Sequence, residues 1–83
     1  MGEVICVYKI MPESPESLGE VRKALELMKP ERLEEEPVAF GLKAIIFTKI
    51  IPDQPGSLEE LENKLNTLSG VGSVENIRTS RAM

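Results

Sequence analysis

Shifted by 40 residues, this 83-residue sequence falls into register with itself. Residues 7–28, VYKIMPESPESLGEVRKALELM, align without a gap on residues 47–68, FTKIIPDQPGSLEELENKLNTL. The identical pairs are Lys9/Lys49, Ile10/Ile50, Pro12/Pro52, Pro15/Pro55, Ser17/Ser57, Leu18/Leu58, Glu20/Glu60 and Leu25/Leu65. A repeat of this length means one supersecondary unit used twice, so whatever the first half folds into, the second must fold into as well. Each half opens on an apolar, β-branched stretch of strand length, residues 4–11 and 44–51. A proline that cannot donate to a ladder closes each. Ser17 and Ser57 precede Glu20 and Glu60 by three residues, the capping-box spacing of a helix start. Leu18, Val21, Leu25 and Met28 then recur at steps of three and four, as do Leu58, Leu61, Leu65 and Leu68, one buried stripe per helix. Pro30 ends the first helix and Gly70, as a left-handed cap, the second.

Two further extended pieces complete the pattern. Residues 36–40 form a short second strand, preceded by a solvated turn at Glu34-Glu35-Glu36, and residues 73–78 form the last. The order βαββαβ, with right-handed crossovers, specifies an α+β fold: a ferredoxin-like sandwich of a four-stranded antiparallel sheet with two helices on one face. Its first and third strands are central. The 83 residues make one domain, a pseudo-repeat of two halves at 7–28 and 47–68.

Strands alternate faces, so residues 5, 7, 9 and 11 oppose 4, 6, 8 and 10. Lys9 and Lys49 mark the odd-numbered set as the open one, although it also contains Ile5, Val7, Ile45, Phe47 and Ile51. Either face is apolar, and an apolar patch of that size is either covered by loops or the chain termini or belongs to an interface with a partner or a second copy.

Composition narrows the chemistry. The chain has no histidine and one cysteine, which removes His-based acid/base work, His-ligated metals and any disulfide framework. A net charge of −4 lacks the basic stripe of a nucleic-acid binder. No apolar run approaches the roughly 18 residues that span a bilayer, and the N-terminus has no signal pattern. We therefore expect a soluble, cytoplasmic domain that is not an enzyme, with no catalytic residues, metal or cofactor, and neither nucleic acid nor membrane as a partner. Cys6 and Tyr8 read as packing residues inside a strand. The Glu34-Glu35-Glu36 run could also steer a basic partner. Gly70-Val71-Gly72 lacks the remaining residues of a phosphate loop and lies after a helix, where it serves as cap and turn. Phe40 stands at the tip of a tight connection, Val38-Ala39-Phe40-Gly41-Leu42, where an aromatic can anchor a partner. Arg81-Ala82-Met83 leave a cation and an apolar side chain at an exposed end.

These stretches carry a family resemblance over essentially the whole chain. Met1-Gly2-Glu3-Val4, Met11-Pro12-Glu13-Ser14-Pro15, Glu35-Glu36-Pro37-Val38-Ala39-Phe40-Gly41-Leu42-Lys43-Ala44 and Gly70-Val71-Gly72-Ser73-Val74-Glu75 resemble the archaeal branch of the translation elongation factor 1-beta family. The resemblance implies the same βαββαβ sandwich. It also implies a nucleotide exchange factor for the GTPase that delivers aminoacyl-tRNA, elongation factor 1-alpha, docking near that partner's nucleotide and magnesium site. Phe40, with Gly41 and Leu42, matches the phenylalanine that eukaryotic members insert into a pocket of the GTPase. Those members end in a magnesium-displacing lysine and an apolar residue; here Ala82 and Met83 occupy the two positions, and Arg81 is the nearest cation. The resemblance thus gives Phe40, Gly41, Leu42, Arg81, Ala82 and Met83 as partner-binding residues. Weak association of two copies through the open sheet face is a second expectation. One competing motif is Asp53-Gln54-Pro55-Gly56-Ser57-Leu58, which resembles the ligand turn of ACT amino-acid-binding modules, although there it follows the first strand.

Overall fold

The computed structural model describes residues 2–39 and 41–82. Four strands and two helices follow in the order β1 (Glu3–Pro12), α1 (Leu18–Leu27), β2 (Arg32–Ala39), β3 (Leu42–Pro52), α2 (Ser57–Thr67) and β4 (Val71–Ala82). The sheet is wholly antiparallel, ordered β2-β3-β1-β4, so β1 and β3 are central as their apolar content requires. The α+β ferredoxin-like architecture read from the sequence is the one observed.

The two edge strands are longer than their sequence signals. β2 begins at Arg32 and contains Glu34, Glu35 and Glu36, which are strand residues rather than a turn. Every β2 position except half-buried Leu33 is exposed, so charged side chains cost nothing there, and Pro37 is tolerable because an edge strand leaves amides unpaired. Glu35 faces α1 and accepts from Arg22, with Lys43 Nζ 3.8 Å away. The run is therefore split between faces rather than forming one acidic rim.

The helix ends also differ from expectation. A 3-10 turn, Pro15–Ser17, runs straight into α1, which leaves Ser17 in helical conformation (φ −80°, ψ −10°) and its hydroxyl without a capping bond. α2 starts at Ser57 itself, with Gly56 as N-cap at φ +84°. Neither capping box forms, because a cap needs an extended serine before the helix. Gly70 is left-handed (φ +88°) but lies beyond the C-cap, Leu68, in the turn where Val71 N donates to Leu68 O at 3.3 Å. A Cβ there would meet Glu20 Oε1 at 3.0 Å and Val21 Cγ2 at 3.2 Å, so this turn presses against the start of α1.

Pairing between the central strands settles which side chains point inward. Val4 stands opposite Ile51, Cys6 opposite Lys49, Tyr8 opposite Phe47 and Ile10 opposite Ile45. Directly paired residues share a face, and each of these pairs joins an even number to an odd one. The core layer beneath the helices is thus even in β1 and odd in β3: Cys6, Tyr8, Ile10, Ile45 and Phe47, closed by Val21 and Leu25 of α1 and Leu61 and Leu65 of α2. The odd set is open in β1, as expected, but not in β3, where Ile45 and Phe47 are fully buried. Lys9 and Lys49 lie on opposite faces, and Lys49 escapes the core by donating to Lys29 O at 2.8 Å. The 40-residue shift holds in the helices, where Val21/Leu61 and Leu25/Leu65 coincide, and slips by one in the strands.

Tyr8, the sole tyrosine of a chain without tryptophan, is 1% exposed and donates to Glu62 Oε2 at 3.0 Å. Burial first, then the Glu62 carboxylate, push its phenol well above the ordinary value of about 10. A raised acid holds its proton more tightly when folded, so its contribution to stability is intact below pH ~10 and is lost as pH climbs through the folded value. Alkaline titration followed by phenolate absorbance should show no ionisation near pH 10; the signal should appear only together with loss of circular dichroism. Ionisation near pH 10 with the secondary structure intact would contradict the buried hydrogen bond. Cys6, fully buried in the same layer, has its thiol pushed up by the same burial.

Candidate partner-binding ends

The sequence-derived partner residues divide between the two ends of the sheet. At one end β2 turns into β3, with Ala39 paired to Leu42 and Gly41 left-handed at φ +79°. A Cβ on Gly41 would meet nothing within 4 Å, so its need there is conformational rather than steric. Phe40 lies outside the described residues. Val38, near the end of β2, is 44% exposed.

Arg81 and Ala82 lie at the opposite end, paired with Val4 and Glu3. In the β1 frame Ile45 stands opposite Ile10, and Leu42 lies three residues further on. Leu42 and Ala82 are therefore ten strand positions apart, about 33 Å at roughly 3.3 Å per residue, in a molecule 42 Å long. They do not form one site. Arg81 is mostly exposed and bonds Asp53 Oδ2 at 3.0 Å, on the helix side of the sheet. Met83 lies outside the described residues, as does the side chain of Ala82.

The Arg81 end carries relief that the sequence reading missed. A cleft of about 310 Å³ opens between the end of β4 and the start of α2, lined by Val4, Ile51, Gln54, Leu58, Thr79 and Arg81. A second, of about 580 Å³, lies between the end of α1 and the start of α2, with Leu27, Met28, Pro55 and Leu61 flanked by Lys49 and Lys64. Leu27 is 83% exposed and Leu58 37%, so both helices present a leucine here. Leu27 was detectable in principle: it sits two residues past Leu25, off the stripe of threes and fours. Nothing marked Leu58, which repeats Leu18 in the aligned helices. Asp53 N donates to Gly2 O at 3.0 Å and fixes the loop that carries these residues.

Among the described residues no three His, Cys, Asp or Glu side chains gather to hold a metal ion, and no buried side-chain polar atom lacks a partner. No helix of the described residues is long and apolar enough to cross a membrane.

Comparison with known proteins agrees with this picture. The model of the EF-1 guanine nucleotide exchange domain matches residues 5–81. Among curated proteins the chain is similar to elongation factor 1-beta of Methanobrevibacter smithii, 42% identical over 100% of both chains. It is also similar to elongation factor 1-beta of Methanoregula boonei, 40% identical over 96% of this chain and 98% of the relative, and of Methanosarcina acetivorans, 39% identical over 98% and 99%. A family model covering nearly every residue, and relatives aligned almost end to end, leave one assignment: the chain belongs to the EF-1 guanine nucleotide exchange domain family, as an exchange factor of translation elongation.

Proposed function

We propose that this domain accelerates GDP release from elongation factor 1-alpha, the GTPase that delivers aminoacyl-tRNA, by docking beside its nucleotide and magnesium site. The match over residues 5–81 carries the reading, since an exchange domain acts by binding its GTPase. An exchange factor needs only to bind the nucleotide-free GTPase better than the GDP-bound one; a coupling of about 1–3 kcal/mol separates the two affinities roughly 5- to 150-fold. By reciprocity GDP weakens the docked factor by the same ratio, so the factor leaves once nucleotide re-enters, and turnover follows.

Phe40 serves as the anchor at the hairpin end, with Gly41 setting the turn and Leu42 its flank. Arg81, Ala82 and Met83 form the second contact. Because about 33 Å of strand separates the two ends, the GTPase must offer two contact regions rather than one pocket. Arg81 is the cation available near the position where the resemblance places a lysine, and Asp53 holds it in place. With the family shown, residues 53–58 are the loop and first turn of α2 in an exchange domain rather than an amino-acid turn.

The direct experiment is release of a fluorescent GDP analogue from the elongation GTPase of the same organism. Substoichiometric amounts of this domain should multiply the release rate. An unchanged rate, with the GTPase shown active by intrinsic exchange, would reject the proposal.

A further inference from the structure

The sheet face away from the helices carries an ordered charge pattern that the exchange reading does not use. One row across all four strands reads Arg32, Thr48, Val7, Arg78, and the adjacent row on the same face reads Glu34, Ile46, Lys9, Glu75. Arginines thus stand on both edge strands in one row and glutamates on both edge strands in the next. Between them run half-buried Ile5, Val7, Ile46 and Thr48, with a shallow hollow of about 410 Å³ around Ile5, Val7 and Thr48. Within the molecule these charges are poorly used. Arg32 reaches Glu34 only at 3.8 Å with both largely exposed, and Arg78 and Glu75 form no ion pair among the described residues.

We propose that this face binds a second copy of the chain, through a two-fold axis lying across the strands between the two rows. That rotation keeps each edge strand over its own counterpart and reverses strand direction. Arg32 then faces the partner copy's glutamate 34, and Arg78 its glutamate 75, with Val7, Ile46 and Thr48 enclosed between the sheets together with Lys9, which stands beside Glu75 of its own copy. The alternative two-fold, along the strands, would set Arg32 against arginine 78 and Glu34 against glutamate 75. Like charges opposed at both edges exclude it, so the pattern selects one geometry.

Pairing through the sheet edges is disfavoured by the edges themselves. β2 carries Pro37 and β4 changes register at Ile77, opposite Val7 and Tyr8, and both features blunt strand addition. The face has room for a weak dimer. Four strands about 4.8 Å apart, over six or seven residues at about 3.3 Å, make roughly 380–440 Å² per copy. That is about 800–900 Å² in all, below the roughly 1,000 Å² of a stable specific interface, so the dimer is a weak one that forms only at high concentration.

Sedimentation equilibrium of the isolated domain up to about 1 mM tests this. The average mass should rise from 9.2 kDa towards twice that value with concentration. Each substitution enters such an interface twice, so R78E should weaken association about tenfold, and the charge-swapped R78E/E75R should restore it. Circular dichroism verifies that each variant is folded. A wild-type mass of 9.2 kDa at every concentration would overturn the proposal. So would R78E associating as wild type does, or a folded R78E/E75R failing to recover. The exchange assay is independent of all three outcomes.

Discussion

Phe40→Ala is expected to abolish most exchange activity while leaving the domain folded. An aromatic anchor that fills a partner's pocket is the kind of contact whose truncation costs about 2–4 kcal/mol, roughly 30- to 1,000-fold in affinity. At a fixed, limiting concentration of factor the rate of fluorescent GDP release should fall by a comparable ratio. Raising the factor concentration should recover part of it, because the lost energy is docking energy. The thermal midpoint of the variant is the necessary companion, and a loss confined to docking leaves it within about 4 °C of wild type. Wild-type exchange in the folded variant would remove Phe40 from the mechanism and leave the Arg81 end as the principal contact.

Phe47→Ala carries the largest expected effect on stability. Phe47 is fully buried between the sheet and both helices, directly opposite Tyr8. Truncating a buried phenylalanine costs about 3–5 kcal/mol in lost burial and residual cavity. A domain of this size holds only about 4–12 kcal/mol in total. Urea unfolding should therefore show a steep drop in midpoint, or a chain already unfolded at 37 °C. Leu27→Ala, at a site 83% exposed, should change stability by no more than about 0.5 kcal/mol. Ile46→Ala, on the opposite face of the same strand, should cost less than Phe47→Ala. Reversal of that order would mean that the inward face of β3 is the even one.

This last comparison bears on how the sequence speaks. The repeat announces two strand-and-helix units, and in the helices its 40-residue step is exact enough to pair Val21 with Leu61 and Leu25 with Leu65 in the core. In the strands the same step misleads, because β1 and β3 are register partners and their numbers sum to an odd value. A one-residue slip changes every side chain's face. Both central strands are apolar on both sides, so hydropathy alone had no way to reveal the slip. The shortened readings of β2 and β4 have another cause. Edge strands exposed along most of their length need no apolar alternation, and a run such as Glu34-Glu35-Glu36 then looks like loop. In the turn between β2 and β3, the left-handed conformation of Gly41 is one its residue type permits. The roughly 33 Å between that turn and Arg81 depends on strand direction, and the leucines at positions 27 and 58 on packing between helices, neither of which a linear string displays.

The pairing of β1 with β4 also fixes when the molecule can become itself. β1 is a central strand, yet its second neighbour is the last strand made: Glu3 waits for Ala82, and Tyr8 for Asn76. Closing a loop of some seventy residues before its contacts can repay the entropy makes folding slow and late. During synthesis the nascent chain therefore carries an open, apolar β1 edge until the residues of β4 have emerged.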